Sequence, residues 1–106
     1  MKNSDVIPVT RMAKAAETAT RFLKVLANQD RLLLMCRLSE GECHVSQLEE
    51  ELDIHQPTLS QQLGVLREEG MVRTRREGKF VFYALASPQS LAVMKVLQQQ
   101  FCKTSH

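Results

Sequence analysis

Three sets of side chains in this chain of 106 residues have the types and spacing to do chemistry. The first is a set of thiols, Cys36, Cys43 and Cys102, which are odd in number and far apart. That excludes a fully paired disulfide scaffold and predicts reduced thiols in a reducing compartment. The second is a polar run, Gln56, Thr58, Ser60, Gln61, Gln62 and Arg67. Amides and hydroxyls in such a run can donate and accept at base edges, and Gln is well matched to adenine N6 and N7. The third is basic: residues 71–86 carry Arg73, Arg75, Arg76 and Lys79 against Glu77 alone. Such a stretch neutralises phosphates, with affinity that falls steeply as salt rises. Residues 40–54 are the reverse, with six acids and no Lys or Arg, and are expected to face away from a polyanion. The net charge of +2 hides this segregation. Taken singly, each charged or polar run also fits a solvated face. No low-pKa Cys sits beside a base or in a C-x-x-C motif, so no enzyme and no catalytic residue is expected.

The chain length suits one domain with no room for a separate catalytic module. The longest apolar run, Phe80 to Ala86, has seven residues, whereas a membrane span needs about 20. A cytoplasmic location without membrane contact is therefore expected. Residues 1–9 read as a frayed leader and 103–106 as a tail, leaving 10–102 as the folded unit. From Thr10, Met12, Ala13, Ala16, Ala19, Phe22, Leu23 and Leu26 recur at helical spacing. Asp30 is a good N-cap for a second helix to Leu38, which Gly41 ends. Val45, Leu48 and Leu52 mark a short third helix, with Ser46 and Glu49 placed as a capping box. Pro57 suits the first turn of a fourth, whose stripe is Leu59, Leu63 and Leu66. Gly64 is the oddity there, since Gly inside a helix costs roughly 1 kcal/mol relative to Ala. Either a backbone approaches closely or the helix tolerates the loss. From Met71 the period falls to two, and Phe80 to Leu85 is aromatic and β-branched, so two strands are predicted about a Glu77-Gly78 turn. A last helix opens at Ser87-Pro88, with Leu91, Met94, Leu97 and Phe101 on one side and Ala92, Val93 and Val96 widening the stripe. A stripe that wide wants two partners.

Two short helices joined by a tight turn and followed by a basic hairpin form a winged helix-turn-helix pattern. The predicted fold is mainly α, with about five helices and a two-stranded wing. The fourth helix would enter the major groove of double-stranded DNA. A small helical domain with a wet helix face is the alternative.

The runs LANQDRL (Leu26 to Leu32) and QPTLSQQLGVLREEGMV (Gln56 to Val72) resemble the ArsR/SmtB family of bacterial winged-helix repressors. The resemblance extends over residues 10–102. It implies a homodimer built from the first and last helices that binds an inverted-repeat operator and releases it when an inducer arrives. His55 departs from it, standing where the family usually has a Ser as N-cap.

Many members of this family sense metals. Glu42 to Leu48 overlays the family's metal box, but His44 and Ser46 fall where its cysteines would be, and the last helix has no Asp, Glu or His. No metal site is expected. Around Cys36 and Cys102 the chain resembles the BigR/SqrR persulfide-sensing branch, which uses one cysteine on each of the second and last helices. The resemblance implies that reactive sulfur species or oxidation bridge Cys36 and Cys102 and release the operator. A direct disulfide needs Cα atoms about 4.4–6.8 Å apart, so sulfurs inserted between thiols held farther apart would relieve strain and separate persulfide from peroxide. Lys103 would favour the attacking Cys102 thiolate. Burial of Cys36 as a small hydrophobe, with Cys102 a stray thiol, remains open, and the alternative to sulfur sensing is a metal- or haem-responsive repressor of the same family. Nearby Glu40 and Glu42 disfavour a Cys43 thiolate, so it is given no sensing role.

Overall fold

A computed structural model describes residues 7–102; the expected leader, up to residue 6, and the expected tail, including Lys103, lie outside the described residues. Helix α1 (Val9–Leu26) starts directly after Pro8, whose carbonyl accepts from the N–H groups of Arg11 and Met12. It therefore reaches one residue into the expected leader. Its C-terminal part enters the core through Val25 and Leu26, with Phe22 half-buried against it, but the N-terminal part of its predicted apolar stripe and Leu23 are uncovered. Met12 and Leu23 are 45% and 59% exposed, and Ala13 and Ala16 are exposed too. The first turns of the helix overhang the domain, so much of an apolar face that reads as core is left uncovered within its own chain.

Helix α2 (Gln29–Leu38) is capped by Asn28, whose Oδ1 accepts the Arg31 N–H, and not by Asp30. Both are good caps, but Asn28 has the extended backbone that aims its side chain at the first turn. Leu34 and Met35 are fully buried, and α2 touches α1, α4, α5 and the sheet, which makes it the hub of the fold. Strand β1 (Cys43–His44) leads into α3 (Val45–Leu52). There Gln47 Oε1 accepts the His44 N–H, so the cap is centred on His44 and Gln47 and not on Ser46 and Glu49. Asp53 turns the chain in the left-handed region at φ 57°.

Helix α4 (Thr58–Glu68) buries Leu59, Leu63 and Leu66, as its spacing predicts. Its start is capped from Gln56, whose Oε1 accepts the Ser60 N–H, and the His55 carbonyl accepts from Leu59. Thus His55 is not the N-cap and its departure from the family's Ser carries no cap penalty. Gly70 (φ 73°) closes α4: its N–H reaches the Arg67 carbonyl and that of Met71 the Leu66 carbonyl, a Schellman ending.

Strands β2 (Val72–Glu77) and β3 (Phe80–Leu85) pair antiparallel with Glu77 opposite Phe80. The turn is therefore Gly78-Lys79, one residue later than predicted, with Gly78 at φ 62° where left-handed backbone is required. The sheet has three strands and not two, in the order β1-β3-β2, because Cys43 and His44 pair with Tyr83 and Phe82. Helix α5 (Pro88–Phe101) is capped by Ser87 and buries Met94 and Ser90, while Val96 and Phe101 stand 52% and 78% exposed. No helix among the described residues is long and apolar enough to cross a membrane.

Candidate nucleic-acid interface and thiol pair

The leucine stripe of α4 turns its other face outward. Ser60, Gln61, Gly64, Arg67 and Glu68 line a shallow exposed groove along it, with Val65 half-buried at its floor. A Cβ built on Gly64 would meet nothing within 4 Å, so no protein backbone explains the glycine. Its exposure leaves that stretch of α4 open to close approach from outside. Thr58 is half-buried at the start of the helix and Gln56 is exposed beside it. Gln62 is drawn inward: its Oε1 accepts from Arg31 Nη1 at 2.9 Å, while Arg31 Nε donates to the Val25 carbonyl. One guanidinium thus ties the end of α1, the start of α2 and the middle of α4. Sequence reasoning groups Gln62 with the outward amides and misses this tie.

The wing carries its charges along β2 as well as at its tip. Lys79 sits in the turn and Arg76 just before it, both exposed. Arg75 lies farther in, opposite Phe82, with its guanidinium 4.6 Å from the ring centroid. It donates from Nε and Nη2 to the two carboxylate oxygens of Glu42, both at 2.8 Å, and from Nη1 to Glu77 at 3.1 Å. The acidic stretch therefore does not face wholly away from the basic one. The unforeseen strand β1 brings Glu42 to the wing. No spacing within 40–54 signals this, because it depends on a two-residue strand.

Cys36 is half-buried on α2 and faces α5, with its Sγ 3.8 Å from Met94 Sδ. Gln98 Nε2 donates to Ser39 Oγ, and Ser39 in turn donates to the Cys36 carbonyl. Met94, Gln98 and Cys102 follow one another at intervals of four along α5, so they share its side. Exposed Cys102 ends the helix, with its N–H on the Gln98 carbonyl. Burial pushes the Cys36 thiol up, a hydrogen bond from Gln98 opposes this, and negative charge on Cys102 and Glu40 adds to the rise. Cys43 is fully buried at the start of β1, and burial pushes its pKa up more than the neighbouring acids do.

His55 stands exposed between two carboxylates, with Nε2 2.7 Å from Asp53 and Nδ1 3.5 Å from Glu49. The hydrogen bond to Asp53, then that to Glu49, raises its pKa. A raised folded value means that the pair stabilises the fold fully below the unfolded pKa of about 6.5. That contribution is lost as pH rises through the folded value. In an NMR titration, His55 is expected to titrate above 6.5 and to fall back when Asp53 is replaced by Asn; an unmoved midpoint removes the pair. Among the described residues no three of His, Cys, Asp and Glu come together to hold a metal ion.

Residues 28–74 match the model of the bacterial regulatory proteins of the arsR family. The chain is 51% identical over 96 residues to the biofilm growth-associated repressor of Agrobacterium fabrum, covering 91% of this chain and 82% of that one. The chain belongs to the ArsR family. Among solved structures, the transcriptional repressor BigR from Xylella fastidiosa superposes with a TM-score of 0.88 at 44% identity, over 92% of this chain and all of that one. Reduced HlyU from Vibrio cholerae gives 0.82 at 38% identity, over 88% of this chain and 98% of its own. The winged-helix architecture is shared by these relatives, and in this family member α3, α4 and the β2–β3 wing supply it.

Proposed function

We propose that the protein is a homodimeric transcriptional repressor. In this reading it grips an inverted-repeat operator through α4 and the wing and releases it when reactive sulfur species bridge Cys36 and Cys102. The observation that carries the first half is the outward face of α4, with Ser60, Gln61 and Arg67 open beside a hairpin bearing Arg76 and Lys79. Its relatives named as repressors point the same way. Gln61 and Ser60 read base edges, Gln56 and Thr58 approach the phosphates at the start of the helix, and Arg76 and Lys79 hold phosphates. The uncovered faces of α1 and α5 argue for the dimer: Val9, Met12, Leu23, Val96 and Phe101 are too exposed for a single chain. A two-fold axis would set half-sites about one helical turn, or a multiple of it, apart.

The second half rests on the seam between α2 and α5, where Cys36 faces the stripe that ends in Cys102. Because α2 also holds α4 through Arg31 and α3 through the Arg37–Glu51 ion pair, a bridge that shifts α2 reaches both halves of the helix-turn-helix. The test of DNA binding is the salt dependence on a mixed-sequence duplex. Each phosphate contact contributes about 0.9 to the slope of log K against log salt. Replacing Arg76 and Lys79 together by Ala is expected to flatten that slope by nearly two such steps. Binding that is absent, or independent of salt, overturns the reading.

A further inference from the structure

The Arg75 guanidinium offers its planar fork, Nε and Nη2, to a single carboxylate, that of Glu42, with both bonds at 2.8 Å. A phosphate takes an arginine in the same bidentate way. The fork is built as well as occupied. Phe82 supports the guanidinium with its ring face, and the His44 ring meets Phe82 nearly perpendicular to it, with centroids 5.5 Å apart. The pairing of Cys43 with Tyr83 fixes the backbone one residue beyond Glu42, so the carboxylate is held at high local concentration. Arg75 holds Glu42 well below the usual carboxylate range, so the competitor stays charged at neutral pH. Both side chains keep contact with solvent, Arg75 at 50% and Glu42 at 36% exposure, so the pair is open to exchange.

We propose that Glu42 is a built-in competitor for DNA phosphate: its carboxylate fills the fork of Arg75, and duplex binding exchanges one bidentate anion for another. This rests on the reading of the wing as a DNA contact. Arg75 is then a gated anchor, distinct from open Arg76 and Lys79, and Glu42 sets the affinity from a position that never touches the duplex.

The test measures binding to a mixed-sequence duplex by fluorescence anisotropy across a range of salt, for wild type, Glu42→Gln, Glu42→Asp, Arg75→Ala and the Glu42→Gln/Arg75→Ala pair. Glu42→Gln is expected to bind several-fold more tightly, with a slope steeper by up to about 0.9. Glu42→Asp keeps the charge but shortens the arm, so it should also bind more tightly than wild type. In the Arg75→Ala background, the gain from Glu42→Gln should vanish. An equal gain in that background means simple removal of negative charge and overturns the proposal. So does unchanged or weaker binding by Glu42→Gln and Glu42→Asp proteins whose thermal transitions match wild type. Wild-type protein without salt-dependent duplex binding overturns the DNA reading and this proposal with it; salt-dependent wild-type binding with no response at Glu42 overturns this proposal alone.

Discussion

Treated with polysulfide, the wild-type protein is expected to lose operator affinity by about 5–150-fold, the range of an ordinary allosteric coupling. Cys36→Ser and Cys102→Ser proteins should lose almost none, and Cys43→Ser should respond as wild type does. In the proposed bridge, the order of events follows from exposure. Cys102 is open and Cys36 half-buried, with its thiol pushed up by burial, so the reagent meets Cys102 first. The Cys102 thiolate attacks a sulfane sulfur of the polysulfide, forms a persulfide and releases a polysulfide anion one sulfur shorter. The Cys36 thiolate then attacks the Sγ of Cys102 itself, forming the Cys36–Cys102 disulfide as the bond from that Sγ to the outer sulfur breaks and hydrosulfide leaves. If Cys36 is first persulfidated as well, condensation of the two persulfides gives a trisulfide and hydrogen sulfide. Cys36 meets α5 at Met94, about two turns before Cys102, so closure would draw in the last turn of α5, where exposed Cys102 and Phe101 offer the least resistance. Operator is obtained by selection from a random duplex pool, and affinity is read with and without polysulfide. Intact-protein mass distinguishes the products, since each inserted sulfur adds its own mass. If either single variant still releases the operator normally, the bridge is not the trigger.

What could be read from the chain followed from how local each feature is. The α4 stripe of Leu59, Leu63 and Leu66 and the strand alternation after Met71 are encoded within a few residues, and both stand where the pattern puts them. The face shared by Met94, Gln98 and Cys102 is equally local, but the contact of Met94 with Cys36 depends on α2 packing across α5. Other features failed for want of local signal. Asn28 and Asp30 compete for one cap, and the outcome is set by which of them has an extended backbone. The apolar stripe of α1 is genuine, yet before Phe22 it is uncovered in the single chain, because sequence periodicity reports a face to be buried and not what buries it. Strand β1 has only two residues and exists because β3 has an open edge for Cys43 and His44. From that unheralded pairing comes the Glu42–Arg75 fork. The polar face of α4 also contains a distinction that composition cannot make, since Gln61 is open and Gln62 is bound to Arg31.

Leu59→Ala is expected to destabilise the protein by about 2–5 kcal/mol, the usual cost of emptying a leucine site in a packed core. Against a total of roughly 5–15 kcal/mol, that is a large share. Leu59 is fully buried on the first turn of α4, directly after the Gln56 cap and one turn before Leu63, so its side chain anchors the end of the helix closest to the tight turn. The surrounding residues cannot readily collapse into the space, because Leu48, Leu34 and Leu63 are themselves held at or near zero exposure on other elements or turns. The matching control is Gln61→Ala, two residues on and fully outward, where the change in stability should stay within about 0.5 kcal/mol. Urea denaturation at one fixed protomer concentration compares the two, since the midpoint of the proposed dimer would depend on concentration. The expected pattern is a double dissociation: Leu59→Ala lowers the midpoint and weakens every duplex in proportion to the unfolded fraction, whereas Gln61→Ala keeps the midpoint and relaxes preference at one base per half-site. A Leu59→Ala midpoint equal to that of wild type would mean that α4 is held by Arg31 and the Schellman ending and not by its leucine stripe.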